Sequence, residues 1–123
     1  MAGYILMVDD DWFLGDIVGN ALQKRGWTVN VATSGERALE LARESAPTMM
    51  LLDLGLPDGD GWALLKRLRE EALDAGTPVV VVSALPVTRT QLRTHRVTAY
   101  VPKPFSVNRL LEVIHALGPE RRG

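Results

Sequence analysis

Three consecutive carboxylates, Asp9, Asp10 and Asp11, close the apolar run Tyr4-Ile5-Leu6-Met7-Val8, and another, Asp53, closes the run Thr48-Met49-Met50-Leu51-Leu52. Adjacent carboxylates repel one another and raise each other's pKa unless a cation or a hydrogen-bond donor compensates. Either the first turn is simply solvated, with Asp11 capping a helix that begins at Trp12, or the charges are gathered to hold something positive. A hard divalent cation suits clustered carboxylates; Mg²⁺ takes one or two of them and keeps waters and a phosphate oxygen. Ser83 closes a further apolar run, Val79-Val80-Val81-Val82, and Lys103 follows Tyr100-Val101-Pro102. A hydroxyl donor and an ammonium group fit a phosphoryl anion bound beside the metal. A carboxylate in such company can act as a nucleophile and form an aspartyl phosphate, and Asp53 is best placed for that role.

These residues need elements that bring them together. Short apolar runs alternate with amphipathic stretches, the pattern of βαβ units and a parallel sheet. Residues 4–9 read as the first strand, followed by a helix in which Leu14, Ile17, Val18, Ala21 and Leu22 share a face up to a stop at Gly26. Residues 28–32 read as a second strand, and Ser34 caps a helix with Ala38, Leu39 and Ala42 on one side. Residues 48–53 form a strand apolar on both faces, and the loop Leu54-Gly55-Leu56-Pro57-Asp58-Gly59-Asp60-Gly61 turns into a third helix carrying Trp62, Leu65 and Leu68. Residues 78–82 are the most strand-like run, and residues 100–102 make a brief fifth strand before Ser106 caps a last helix with Leu110, Leu111, Ile114 and Leu117 aligned. Between them, residues 85–97 are polar and basic with few apolar anchors, which predicts a short or irregular fourth helix.

The fold class expected is therefore α/β: a doubly wound five-stranded parallel sheet, (βα)5, in the flavodoxin-like order 2-1-3-4-5. In such sheets ligands bind outside the carboxyl ends of the strands, at the switch point of the topology. Strands one and three are neighbours in that order, so Asp9, Asp10 and Asp53 share one rim with Ser83 and Lys103.

The constellation resembles the receiver domain of two-component response regulators, chemotaxis-type receivers included. The matching motifs are Val-Asp-Asp at 8–10, Leu-Leu-Asp-Leu-Gly-Leu-Pro-Asp-Gly-Asp-Gly at 51–61, Val-Val-Val-Val-Ser-Ala at 79–84 and Tyr-Val-Pro-Lys-Pro-Phe at 100–105. The resemblance implies a receiver domain over residues 1–117 and a tail or linker stub at 118–123. It implies Asp53 as phosphoacceptor and Asp9, Asp10, Asp53 and the Gly55 carbonyl as ligands of Mg²⁺, for which Mn²⁺ can substitute, Asp9 acting largely through a metal-bound water. By the same resemblance, Ser83, Ala84 and Lys103 bind the phosphoryl group, Lys103-Pro104 is a cis peptide, and Tyr100 is an aromatic switch that turns inward when Ser83 moves. It further implies a histidine kinase or histidine phosphotransfer protein as donor and an output through the fourth helix, fifth strand and fifth helix to an unnamed partner or effector. The chain would be a monomer or a phosphorylation-dependent homodimer, catalysing only its own phosphorylation and dephosphorylation.

Two departures stand out. Gly55 leaves open a side on which receivers often carry a larger screening residue, while Leu85 is placed to shield the phosphoryl group from the other side. The stretch between Ser83 and Tyr100 is about two residues short and lacks the Ala-Gly signal that commonly precedes the fifth strand. Arg89, Arg93, His95 and Arg96 crowd that stretch, as a solvated face or as a docking patch for an acidic partner. Trp12 is expected to cover the first helix and His115 to lie on the outer side of the last; the two histidines lack ligand spacing for zinc.

Composition narrows the classes. At 123 residues the chain holds one ordinary core, and 46% hydrophobic with 24% charged residues is the balance of a folded domain. A net charge of -1 gives no global field toward nucleic acid or an anionic membrane. The absence of cysteine excludes disulfides and thiolate sites and fits a reducing, cytoplasmic setting, and no secretion signal or bilayer-spanning run is present. Two enzymes or binding modules compete weakly. A Mg²⁺-dependent phosphohydrolase of the haloacid dehalogenase type would use Asp9 as nucleophile and Asp11 as acid/base, but leaves Asp53 unexplained. A nucleotide or flavin module needs backbone amides where three negative charges stand. A phosphorylation-independent pseudo-receiver is disfavoured because no site residue is missing.

Overall fold

The computed structural model describes residues 3–117. Its elements in chain order are β1 (Ile5–Val8), α1 (Trp12–Gln23), β2 (Val29–Ala32), α2 (Gly35–Glu44), β3 (Met49–Asp53), β4 (Gly55–Leu56), β5 (Gly59–Asp60), α3 (Gly61–Glu71), β6 (Val79–Ser83), α4 (Arg89–Thr94), β7 (Ala99–Pro102) and α5 (Val107–Leu117). Five strands form one sheet in the order β2-β1-β3-β6-β7, all neighbours parallel. That is the flavodoxin-like order expected from the sequence, with the small antiparallel hairpin β4–β5 inserted where the sequence predicts only a turn. The tail at 118–123 lies outside the described residues.

The alternation of strand faces divides the core in two. Leu6, Val8, Met50, Leu52, Val79 and Val81 point to the side covered by α2 and α3, while Ile5, Met7, Met49, Leu51, Val80 and Val82 point to the side covered by α1 and α5. β1, β3 and β6 are buried at every position, as central parallel strands must be, whereas β2 is buried only at its ends.

One helical face differs from the sequence reading. α1 buries Gly15, Val18, Gly19 and Leu22, while Ile17 is exposed, because the two glycines let the helix settle on Val29 and Val31 of β2 and so turn Ile17 outward. Trp12 is likewise exposed at 66%, packed edge-on against Phe13 rather than covering the helix.

The start of α3 is fixed by a close approach that only glycine allows. A Cβ on Gly61 would stand 2.5 Å from the Cα and 2.8 Å from the carbonyl oxygen of Leu54, the residue after Asp53. The Gly61 N–H donates to that same carbonyl, and Asp60 caps the helix by accepting from the Trp62 N–H. α3 is thereby anchored one residue from the carboxyl end of β3.

Candidate functional site

The carboxyl ends of β1, β3, β6 and β7 converge on one rim. Register fixes this: Val8 pairs with Leu52, Asp53 with Val82, and Ser83 with Pro102, so Asp9, Asp53, Ser83 and Lys103 emerge side by side. Carboxylate oxygens of Asp9, Asp10 and Asp53 lie within 4.8 Å of one another. Asp9 and Asp53 are buried and Asp10 is exposed.

Lys103 supplies part of the missing positive charge. Its Nζ donates to Asp9 Oδ2 at 2.8 Å and to Asp53 Oδ2 at 3.2 Å. The other oxygens are held from the backbone: the Asp11 N–H donates to Asp9 Oδ1 at 2.9 Å and the Gly55 N–H to Asp53 Oδ1 at 3.1 Å. Burial nevertheless raises the Asp9 pKa above the usual carboxylate value, outweighing the bonds from Lys103 and the Asp11 N–H. For Lys103, burial alone would favour the neutral amine, but its bond to Asp9 and the charges of Asp9 and Asp53 outweigh it and hold the ammonium above its ordinary pKa. One lysine against three clustered carboxylates leaves a negative excess, open to solvent on the Asp10 side. Hard oxygen donors so arranged fit a small divalent cation.

Ser83 is fully buried, and its Oγ accepts a 3.0 Å hydrogen bond from the Leu85 N–H. The Leu85 carbonyl in turn accepts from the Tyr100 hydroxyl at 3.3 Å. Leu85 thus joins Ser83 to half-buried Tyr100 through its backbone, while its side chain is 52% exposed. The sequence draws attention to the Leu85 side chain and not to this link, because main-chain hydrogen bonds leave no residue-type signature. Ala84 is exposed and lines a groove of about 350 Å³ with Asp11, Leu14, Lys103, Pro104 and Phe105. The Lys103-Pro104 peptide bond is cis.

Asp11 stands apart from the cluster. Its Oδ1 accepts from the Phe13 and Leu14 N–H groups, both at 3.1 Å, and it is the N-cap of α1. The residue that a dehalogenase-type mechanism would need as acid/base is committed to starting a helix. His95 is not part of a solvated patch: its ring stacks on Trp62 at 4.4 Å and 15°. Arg89, Arg93 and Arg96 are exposed, as is His115.

Comparison with known proteins agrees with this geometry. Residues 5–115 match the family model described as the response regulator receiver domain. The chain is 34% identical over 115 residues to the probable transcriptional regulatory protein TcrX of Mycobacterium tuberculosis, covering 92% of this chain and 48% of that protein. It is 30% identical to the chemotaxis protein CheY of Bacillus subtilis, covering 94% of this chain and 97% of the relative. Several curated relatives are transcriptional regulators of which the chain spans about half the length or less. Among solved structures, a CheY-like receiver domain protein from Methanospirillum hungatei superposes with a TM-score of 0.86 at 26% identity, covering 94% of this chain and 93% of the other. A Francisella response regulator receiver domain gives 0.81 at 29% identity, covering 94% and 95%. Among the described residues no helix is long and apolar enough to cross a membrane. The strand-end carboxylates and lysine, the sheet order and these matches lead to one conclusion: the chain belongs to the response regulator receiver domain family of two-component signalling.

Proposed function

We propose that this chain is a phosphorylation-controlled switch in which Asp53 accepts a phosphoryl group from the histidine of a kinase or phosphotransfer protein. The observation that carries the reading is the buried Asp53 carboxylate held between the Gly55 N–H and the Lys103 ammonium, beside Asp9 and Asp10. In the transfer, an Asp53 oxygen bonds to phosphorus as the donor's P–N bond breaks, and the electron pair leaves with the imidazole nitrogen, which takes up a proton. Asp9, Asp10, Asp53 and the Gly55 carbonyl would hold Mg²⁺, or Mn²⁺ in its place, which supplies charge neutralisation for the transferring group.

The chain's own residues do the rest. Lys103 offers a point charge to the phosphoryl oxygens, and the Ser83 hydroxyl and Ala84 N–H offer donors to the same oxygens. Once the Ser83 hydroxyl turns toward a phosphoryl oxygen, its bond from the Leu85 N–H is lost, which frees the loop whose carbonyl holds Tyr100. A local change in charge then reaches the surface built by α4, β7 and α5 and controls a partner or effector there. The chain is not assigned turnover of a separate substrate.

The test is intact mass after incubation with Mg²⁺ and acetyl phosphate, beside an Asp53→Asn variant and an EDTA control. A single metal-dependent phosphate adduct, acid-stable, base-labile and absent from the variant, is the expected result. No adduct on a folded wild-type chain would overturn the acceptor role. An adduct that survives Asp53→Asn and is lost in Asp9→Asn would move the nucleophile to the first strand and favour the phosphohydrolase.

A further inference from the structure

Charge is segregated along this chain in a way its net value of -1 conceals. Between Asp74 and Glu112 there is no carboxylate side chain, yet Arg89, Arg93, Arg96, Lys103 and Arg109 all fall there. Lys103 is turned into the acidic rim. The other four are exposed. Elsewhere three arginines are matched by carboxylates: Arg37 with Glu40, Arg43 with Glu71, and Arg67 with Glu36 and Glu71. Arg89, Arg93 and Arg96 make no ion pair among the described residues, and Arg109 has only a 3.9 Å contact to Glu112.

The fold gathers these cations at one edge. β7 is the last strand of the sheet, so one of its sides is unpaired, and α4 and α5 are the elements on either side of it in the chain. Arg89 and Arg93 are four residues apart on α4 and therefore share a face. Although α4 buries no residue, both its ends are fixed. Thr88 and Gln91 form a reciprocal capping box at the start. At the far end the Arg69 guanidinium donates to the carbonyls of His95, at 3.3 Å, and Arg96, at 2.7 Å, while Trp62 stacks on His95. The guanidinium groups are presented from an ordered helix, which lowers the cost of ordering them on binding.

We propose that the surface made by α4, the free edge of β7 and the first turn of α5 docks an acidic segment of a partner protein and rejects a second copy of itself. A two-fold contact sets a patch against its own copy, and this patch has cations to oppose cations with only Glu112, at its margin beside Arg109, to set against them. An acidic protein segment needs only local complementarity. A nucleic acid is a long polyanion that meets the whole field of the molecule, and the Asp9-to-Asp11 rim with Asp16, Asp58 and Asp60 opposes it. The choice of this surface rests on the output face of the proposed function, whereas its charge does not depend on whether Asp53 accepts phosphate.

The experiment uses the whole chain and three fluorescent probes: a Glu-rich amphipathic helical peptide, its Lys-for-Glu counterpart, and a single-stranded oligonucleotide of the same charge as the first. Anisotropy should show saturable binding of the Glu-rich peptide below about 1 mM at low salt, weakening as salt screens it. The double variant Arg89→Glu/Arg93→Glu should lose at least about tenfold in affinity, and Arg37→Glu, on α2 beside β2 at the opposite edge of the sheet, should change little. Circular dichroism melts of each variant separate lost binding from lost fold. Failure of the Glu-rich peptide to saturate, equal binding of the Lys-rich peptide or of the oligonucleotide, or an unchanged affinity in the folded double variant overturns the proposal. So does a wild-type dimer in sedimentation that the same double substitution dissociates.

Discussion

Two helices on the same face of the sheet, α2 and α4, are held in opposite ways. α2 buries Gly35, Ala38, Leu39 and Ala42, and side chains distant in sequence tie both its ends. Asp58 accepts from the Gly35 and Glu36 N–H groups at 3.0 and 3.2 Å, which lowers its pKa, and the Tyr4 hydroxyl donates to the carbonyls of Leu41 and Ser45 at 3.2 and 2.6 Å. α4 buries nothing and hangs on one guanidinium, one ring stack and its own cap. Apolar burial couples a helix to the whole core, so α2 opens only when the domain unfolds. Polar attachments break one at a time, so α4 can shift while the sheet stays intact.

The largest effect that sharpens this contrast comes from truncating one leucine on each helix. Leu39 is 1% exposed, and Leu39→Ala should cost about 2 to 5 kcal/mol of global stability. Leu92, half-buried on α4, should cost less than about 1 kcal/mol when cut to Ala. Urea denaturation measures both, and equal losses would refute the idea that α4 is attached independently of the core.

Next in size is Tyr4→Phe, which removes the hydroxyl that closes the carboxyl end of α2 and should cost about 1 to 2 kcal/mol near neutral pH. Burial, and then the Glu44 charge, raise the Tyr4 pKa above its ordinary value of 10.0. A raised folded-state pKa means that the Tyr4 contribution is complete below the unfolded value and is lost as pH rises through the folded one. The stability gap between wild type and Tyr4→Phe should therefore shrink above pH 10 or so. A gap that stayed constant into the alkaline range would show that the phenol ionises equally in both states.

Legibility in the sequence follows the same division. The sheet order, the rim and its residues could be read because continuous apolar runs such as Met49 to Leu52 end on a carboxylate, and strand order alone brings Asp9 beside Asp53. What escaped was set by contacts without a residue-type pattern. The hairpin β4–β5 is two residues per strand, too short for any periodicity. Ile17 faces outward because Gly15 and Gly19 move the contact face of α1, a packing effect that counting apolar positions does not see. Nor does a stretch as polar as 85–97 announce that His95 stacks on Trp62 from another helix.

Breaking the α4 attachment should have a smaller and local effect. Burial and then the Arg96 charge lower the Arg69 pKa, yet the guanidinium remains a charged donor to the two carbonyls. Arg69→Met keeps the bulk of the stem and removes both bonds. Local opening should become about tenfold more frequent, as for a loss of about 1.4 kcal/mol. Hydrogen exchange would then speed up at the amides of Leu92 to Val97 and stay unchanged in β1 and β3. Uniform acceleration across the sheet would mean that α4 and the core open together.

The smallest effect has the opposite sign. α4 ends with the Arg96 N–H donating to the Arg93 carbonyl at 3.1 Å and the Val97 N–H to the Leu92 carbonyl at 2.9 Å, with Arg96 itself at a φ of 54°. This is the helix ending that glycine favours, and it explains how the chain dispenses with the Ala-Gly signal before β7: an arginine takes the left-handed position and bears its steric cost. Arg96→Gly should relieve that cost and stabilise the domain by about 0.5 to 1 kcal/mol, seen as a higher melting temperature and slower exchange at Arg93 to Val97. The carbonyl that accepts from Arg69 is retained in the variant, so the attachment to α3 survives. A lower melting temperature would mean that the Arg96 side chain contributes more to holding α4 than its backbone strain takes away, and the contrast with α2 would narrow accordingly.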